Sequence, residues 1–361
     1  MSPAGGPRRV HQLLAALAYG DAISNEALAI QRHLRRAGFE SDIFAEHVHP
    51  RMTRDARPLW QYGEVSSPDT VCLFHFSIGS AAARLIFHAP DRLVSIYHNI
   101  TPAEWFLGFH PHLAGLCYHG RRELAAFAPR TELALGDSEY NRRELEAAGY
   151  ARTGVLPIVL DLDTYRRPAS PVVRRLYDDG RTNIVFVGRI IPNKKIDDLI
   201  RVFALYQRLF DRQSRLLLVG DYRGQEKYYD RLQDLVRERH AEEVVFTGQV
   251  DDDELRAAYA SADLFLCLSE HEGFCVPLLE AMAFEVPVVA FEAGAVRETL
   301  HGGGVLLRDK EPSEVAALVH RILTDDALRE QVRETQARAM AKVRATDFGA
   351  LLLERLGPVL R

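Results

Sequence analysis

Short, strongly apolar runs alternate along this chain with segments whose apolar residues recur at helical spacing. In the first half the runs are VHQLL near Val10, VCLFHF from Val71, LVSIYH from Leu93, ELALG from Glu132 and GVLPIV from Gly154. In the second they are NIVFVG, RLLLVG, VVFTG, DLFLCLS, PVVAF and GVLL. Apolar strand, turn and amphipathic helix in repeated succession predict doubly wound parallel sheets, one in each half. A helix is expected from Ser24 to Ala37, capped by Asp21 or Ser24 and ended by Gly38. Another starts at Ile196 and turns Ile196, Leu199, Ile200 and Phe203 to one side. The polar, proline-containing stretch from Asp161 to Pro171 reads as the connection between halves. The expected domains are residues 1–167, residues 168–345 and a terminal apolar helix over residues 346–361.

Composition narrows the class. The chain has 361 residues, enough for two ordinary domains, and is 47% hydrophobic and 26% charged. A formal net charge of −5 gives no reason to expect nucleic acid as a partner. The four cysteines, Cys72, Cys117, Cys267 and Cys275, form no C-x-x-C pair, which suits free thiols in a reducing compartment. The N-terminus lacks a signal-peptide apolar core, and no apolar run approaches the roughly 20 residues that span a bilayer. A cytoplasmic location is expected, with a peripheral contact at the inner face of the membrane left open.

The chemistry concentrates in LSEHEGFCVPLLEAMA, Leu268 to Ala283. A buried strand feeds a loop and then a helix with Pro277 in its first turn. The amides of Gly273, Phe274, Cys275 and Val276 would face a phosphate at that helix N-terminus. Glu272 in the loop and Glu280 one turn into the helix are acceptor groups for sugar hydroxyls. A second motif, VGRIIPNKKIDDLI from Val187, puts Gly188 and Arg189 at a strand end and Lys194 just before a helix. Arginine and lysine there can converge on a diphosphate. His98 stands where a strand meets the turn from Asn99 to Pro102, and His75 is the next candidate histidine. Gly20, in the first strand-to-helix connection, could let backbone amides approach a phosphate. Trp105, Phe106 and Phe109 form either an apolar platform or ordinary core. No kinase, dinucleotide-dehydrogenase or zinc-peptidase motif is present.

Glu-Gly-Phe, then Pro, then Leu-Glu-Ala-Met-Ala resembles the signature of glycosyltransferase family 4, retaining nucleotide-sugar-dependent enzymes of the GT-B fold. The run Gly188, Arg189, Lys194 resembles the family's G-R-x-x-x-x-K element, with Lys195 where a glycine is usual. The resemblance implies two Rossmann-like domains facing across a cleft, with the last helix crossing back to the first. It implies that His98 contacts the donor sugar, that backbone groups at Gly248 to Val250 meet the nucleotide base, and that Glu298 is structural or on the nucleotide side. Ser138 and Asn141 match an element read as structural.

The expected reaction moves a hexose from a UDP- or GDP-linked donor to a hydroxyl of a glycan, a lipid-linked saccharide or a small molecule. Arg189, Lys194, Glu272 and His98 are the expected catalytic residues; Gly20, Gly188, Val250, Gly273 to Val276 and Glu280 complete the donor site. No metal or other cofactor is expected, because the phosphate-side groups are already cationic. A nucleotide-sugar epimerase and a non-catalytic nucleotide-sugar-binding subunit are the alternatives.

Overall fold

The computed structural model describes residues 9–360. They divide into two compact units. Residues up to Glu104, His112–Leu160 and Thr346 onwards form the first; Trp105–Pro111 and Asp161–Ala345 form the second.

The first unit holds a seven-stranded sheet of β1 (Arg9–Leu17), β2 (Ile43–Val48), β3 (Arg57–Pro58), β4 (Thr70–Phe76), β5 (Arg92–Tyr97), β6 (Thr131–Gly136) and β7 (Thr153–Val155). Every pairing is parallel, in the order β3-β2-β1-β4-β5-β6-β7. The two-residue β3 carries no sequence periodicity, and β7 stops at Val155, short of the apolar run that suggested it. The helix Ala22–Arg36 follows β1, and Asp21 is its cap, accepting the Ser24 N–H at 3.0 Å. At the other end of the chain Asp347 caps the helix Phe348–Leu356. Phe348, Leu352, Leu356, Val359 and Leu360 join Ile30, Leu34, Val94 and Leu135 in one buried cluster of this unit. Each such side chain contributes about 1.5–3 kcal/mol by leaving water.

The second unit holds a six-stranded parallel sheet of β8 (Thr182–Val187), β9 (Ser214–Val219), β10 (Val244–Gly248), β11 (Leu264–Cys267), β12 (Val288–Phe291) and β13 (Val305–Leu307). The order is β10-β9-β8-β11-β12-β13. The helix Ile196–Leu209 buries Ile196, Leu199, Ile200 and Phe203, as the spacing predicts. Two segments assigned by sequence to the first domain group here. The connection from Asp161 does so because Tyr165 hydrogen-bonds Glu280 and the Ser170 N–H donates to Asp253 at 2.9 Å, so the division falls after Leu160 and not after residue 167. Trp105–Pro111 does so with the Phe109 ring edge-on to Tyr228, centroids 5.1 Å apart. Phe106 is buried, so these aromatics form no common exposed platform. No helix among the described residues is long and apolar enough to cross a membrane.

Strand order reverses between β1 and β4 in one sheet and between β8 and β11 in the other. Ligands of doubly wound sheets bind beyond the carboxyl ends of strands at such switch points. In the second unit Arg189 and Lys194 follow β8 and Glu272 and Glu280 follow β11, whereas in the first His98 follows β5, one strand beyond the reversal.

Candidate functional site

In the second unit Gly188 follows β8 and its N–H donates to Val219, and Gly220 follows β9 and its N–H donates to Gly248. Gly220 sits at φ +152°, and a Cβ there would lie 1.9 Å from the Gly188 carbonyl oxygen. Only glycine lets these strand ends approach so closely. Arg189 then emerges exposed, and its guanidinium makes no hydrogen bond or ion pair among the described residues.

The two lysines diverge. Lys195 adopts φ +53°, the left-handed conformation that favours glycine, and caps the helix Ile196–Leu209. Its ammonium turns back to Asp197, 3.0 Å away. Lys194 points the other way and donates to both oxygens of Glu272 at 2.7 Å. Burial opposes charge on Lys194, but the Glu272 carboxylate outweighs it and the lysine pKa is raised. Breaking a pair this buried leaves an uncompensated charge, at a cost of about 3–5 kcal/mol.

The loop after β11 is braced from three sides. Asn193 accepts the Glu270 N–H through its backbone carbonyl at 2.9 Å and donates its side-chain amide to His271 at 3.1 Å. Lys310 joins Asp198 to Glu270. Gly294, at φ +55°, packs against the Glu272 backbone, where a Cβ would lie 2.2 Å from the carbonyl oxygen. The helix Val276–Ala283 begins after Cys275, which is left-handed at φ +78°, and Thr299 hydrogen-bonds the Phe274 carbonyl. Gly273, Phe274, Cys275 and Val276 thus line the entry to the helix.

Glu280 lies one turn in. Tyr165 donates to its Oε1 at 2.8 Å and Tyr259 to its Oε2 at 2.7 Å. Burial raises its pKa against the lowering effect of both phenols. Each oxygen keeps a lone pair for a further donor. Tyr259 reads from sequence as core spacing with no part in the chemistry, and the hydrogen bond to Glu280 corrects that; Tyr165 carries no signal at all, since it lies 115 residues from Glu280 and no local spacing connects them. Val250 is partly buried and packs against the cluster that holds Val185, Leu217 and Ala258.

In the first unit Gly20 is exposed at φ +74°, with open space where a Cβ would be. His98 is in a different situation from the one expected. Its side chain is 1% exposed, with Nδ1 3.0 Å from Asp137 and Nε2 2.8 Å from His75 Nδ1. His75 Nε2 in turn meets Gln12 at 2.9 Å, and Gln12 donates to the Ala27 carbonyl. Both His98 nitrogens are therefore engaged, and none is left for direct contact with a sugar in this arrangement. A signal for the network was present: His75 and Gln12 are polar residues inside apolar strand runs.

Glu26 is buried beside His98, its Oε2 3.5 Å from Nδ1, and both its oxygens lack a hydrogen-bond partner. Burial first, then Asp137, lifts Glu26 to about 8. Burial opposes the charge on His98, but Asp137 and Glu26 outweigh it and raise that pKa to about 9. His75 is pushed well down by burial and by His98. The group holds a proton tightly among four buried residues. Ser138 caps the helix Glu139–Ala147, and Asn141 bonds Asn99 and the Tyr97 carbonyl, as structural readings of both require.

Comparison with known proteins follows this geometry. Residues 174–339 match the family described as glycosyl transferases group 1. A GDP-mannose-dependent alpha-mannosyltransferase of Mycobacterium tuberculosis (strain CDC 1551 / Oshkosh) is 30% identical over 341 residues, covering 83% of this chain and 85% of the relative. The O-antigen chain mannosyltransferase B of Escherichia coli is 27% identical over 251 residues, 67% of this chain and 64% of that protein. The crystal structure of Anabaena Alr3699/HepE in complex with UDP-glucose superposes with a TM-score of 0.75 at 20% identity, covering 97% of this chain and 99% of that one. At that identity the likeness shows the fold, GT-B with its two Rossmann-like parallel-sheet domains. Given the family match and a relative 30% identical that is covered over 85% of its own length, the chain belongs to the glycosyl transferases group 1 and is a nucleotide-sugar-dependent glycosyltransferase.

Proposed function

We propose that this enzyme is a retaining family 4 hexosyltransferase that takes mannose from GDP-mannose, without a metal, to a hydroxyl of a glycan or lipid-linked saccharide. The observation that carries the reading is the pairing of Lys194 with both oxygens of Glu272 at the mouth of the helix that bears Glu280. Three needs of a nucleotide-sugar donor meet on this element: cationic charge for the diphosphate, a carboxylate for a sugar hydroxyl, and a second carboxylate for the ribose. The mannose and GDP assignment draws on the relatives named for GDP-mannose and for O-antigen mannosyl transfer.

In this reading the acceptor oxygen attacks the anomeric carbon on the face from which the diphosphate departs. The carbon–phosphate oxygen bond breaks as the new glycosidic bond forms, and the acceptor's proton passes to the leaving phosphate oxygen. Arg189, Lys194 and the amides from Gly273 to Val276 stabilise the charge that develops there. Lys194 keeps a donor for phosphate while holding Glu272, since an ammonium has three. Glu280 accepts the ribose hydroxyls on the lone pairs its tyrosines leave free. His98, with both nitrogens engaged, acts as a positioning residue.

A thermal-shift panel of GDP, UDP and ADP tests the base, since a ligand at a hundred times its Kd adds about 2.7 kcal/mol. GDP is expected to stabilise most; a UDP-selective shift would favour the UDP-glucose chemistry of the Anabaena structural neighbour. Transfer from GDP-mannose in excess EDTA should proceed with an α-configured product by NMR. Inverted product, or activity lost in EDTA and restored by Mg²⁺, would overturn the mechanism.

A further inference from the structure

Two thiols stand beside the Lys194–Glu272 pair. Cys267 is the last residue of β11, registers with Ala290 of β12, and is fully buried. Cys275 precedes the helix Val276–Ala283 and is half-buried. Their sulfurs and a Glu272 oxygen lie within 4.8 Å of one another. The chain brings them together at a conformational cost, because Cys275 holds φ +78°, a region that side chains other than glycine and asparagine rarely adopt. The other two cysteines, Cys72 and Cys117, belong to the first unit. Ser269 lies 3.3 Å from the Cys267 sulfur; the Cys275 thiol, helped by Ser269, draws the Cys267 pKa below its ordinary value, and the Cys267 sulfur and burial push that of Cys275 well up.

We propose that Cys267 and Cys275 form a thiol–disulfide modification site, closed by small disulfides such as oxidised glutathione, that switches off donor binding. This rests on the reading above that the loop from Gly273 to Val276 holds the donor diphosphate. The more accessible thiol, Cys275, attacks one sulfur of the small disulfide once it loses its proton, a step that its raised pKa makes slow near neutral pH and faster as pH rises. The displaced glutathione thiolate takes up the proton. Cys267 then attacks the Cys275 sulfur of the mixed disulfide and releases the second glutathione. Two protein thiols and one glutathione disulfide become one protein disulfide and two glutathione thiols.

Closure must move the loop. A disulfide needs its sulfurs about 2.05 Å apart. Cys267 is fixed by strand pairing on β11, so Cys275 and the adjoining amides shift toward it. Misplacement by an ångström at a positioned site costs about 10² in rate. Reduction restores the open loop.

The experiment treats the reduced full chain with oxidised glutathione, then maps peptides without reduction and titrates GDP and UDP. The expected result is a peptide linking Cys267 to Cys275 and nucleotide affinity at least about tenfold lower, recovered with dithiothreitol. Cys267→Ala should bind nucleotide when reduced and stop at the mixed disulfide on Cys275. Two free thiols after treatment, a persistent mixed disulfide in the natural chain, or a formed disulfide with unchanged affinity would each overturn the proposal. A reduced chain that binds no nucleoside diphosphate overturns the donor reading and the switch with it, while the peptide map still decides the thiol pairing.

Discussion

In the first unit Gln12, His75, His98 and Asp137 come from four neighbouring strands or their ends and spend their hydrogen bonds on one another. In the second unit Arg189, Lys194, Glu272 and Glu280 follow the strands that flank the equivalent reversal of order. There Arg189 is left exposed and the other three are held with acceptor or donor capacity to spare. The same sheet geometry thus supports two kinds of polar cluster. One is closed, with two buried carboxyl groups, Glu26 and Asp137, flanking a charged imidazole; its behaviour is governed by protons. The other is primed by partners that fix direction without exhausting it, and its behaviour should be governed by an anionic ligand.

The comparison can be broken at its most exposed point. Arg189→Ala should lower kcat by about 10² or more, as for one lost oxyanion donor, while the fold survives. A folded variant with ordinary turnover would remove Arg189 from the site. The closed cluster is tested by pH. Glu26 holds its proton to about 8 against 4.5 unfolded, and His98 to about 9 against 6.5. Both contributions are complete below the unfolded values and are lost as pH climbs through the folded ones. The melting temperature should therefore fall as pH rises from about 4.5 to about 8 through Glu26 and from about 6.5 to about 9 through His98, and level off above. Glu26→Gln should flatten that fall, by about 2–4 °C for each kcal/mol retained. An unchanged slope between about pH 4.5 and about 8 in Glu26→Gln would contradict the assignment.

Smaller effects sharpen the second cluster. Tyr165→Phe and Tyr259→Phe should each weaken nucleotide binding by about 0.5–1.5 kcal/mol, the worth of one hydrogen bond to Glu280. Isothermal titration would show it, and unaltered affinity in both would mean that the tyrosines only pack. Lys195→Gly should raise stability by up to about 2 kcal/mol. It relieves a left-handed side chain worth about 1–2 kcal/mol and gives up an ion pair worth about 0–1 kcal/mol. Turnover should be unchanged; a loss would mean that Lys195 serves the ligand after all.

Much of this was legible where physics is local. Alternating strands and amphipathic helices predicted two parallel sheets. The strand–loop–helix of Leu268 to Ala283 placed Glu272 and Glu280 on one element. Local spacing left open which of Lys194 and Lys195 turns inward, because that depends on a backbone angle: Lys195 takes the glycine-like conformation and so points away. Partners distant in sequence stayed hidden. Tyr165 reaches Glu280 across 115 residues and Asp137 reaches His98 across 39, distances that only the completed sheets close. The constraint on Gly220 was hidden for the same reason, since the atom it must avoid belongs to Gly188 on the next strand.

The central claim is that the Lys194–Glu272 and Glu280 element holds the donor nucleotide. Calorimetric titration of GDP against the natural chain, Glu280→Ala, Lys194→Ala and Lys195→Ala tests it most directly, with thermal unfolding to confirm that each variant is folded. Glu280→Ala and Lys194→Ala should each lose about 1.5–3 kcal/mol of nucleotide affinity, as for a hydrogen bond to a charged group, while Lys195→Ala binds as the natural chain does. Undiminished affinity in folded Glu280→Ala and Lys194→Ala, or an equal loss at Lys194 and Lys195, would contradict it.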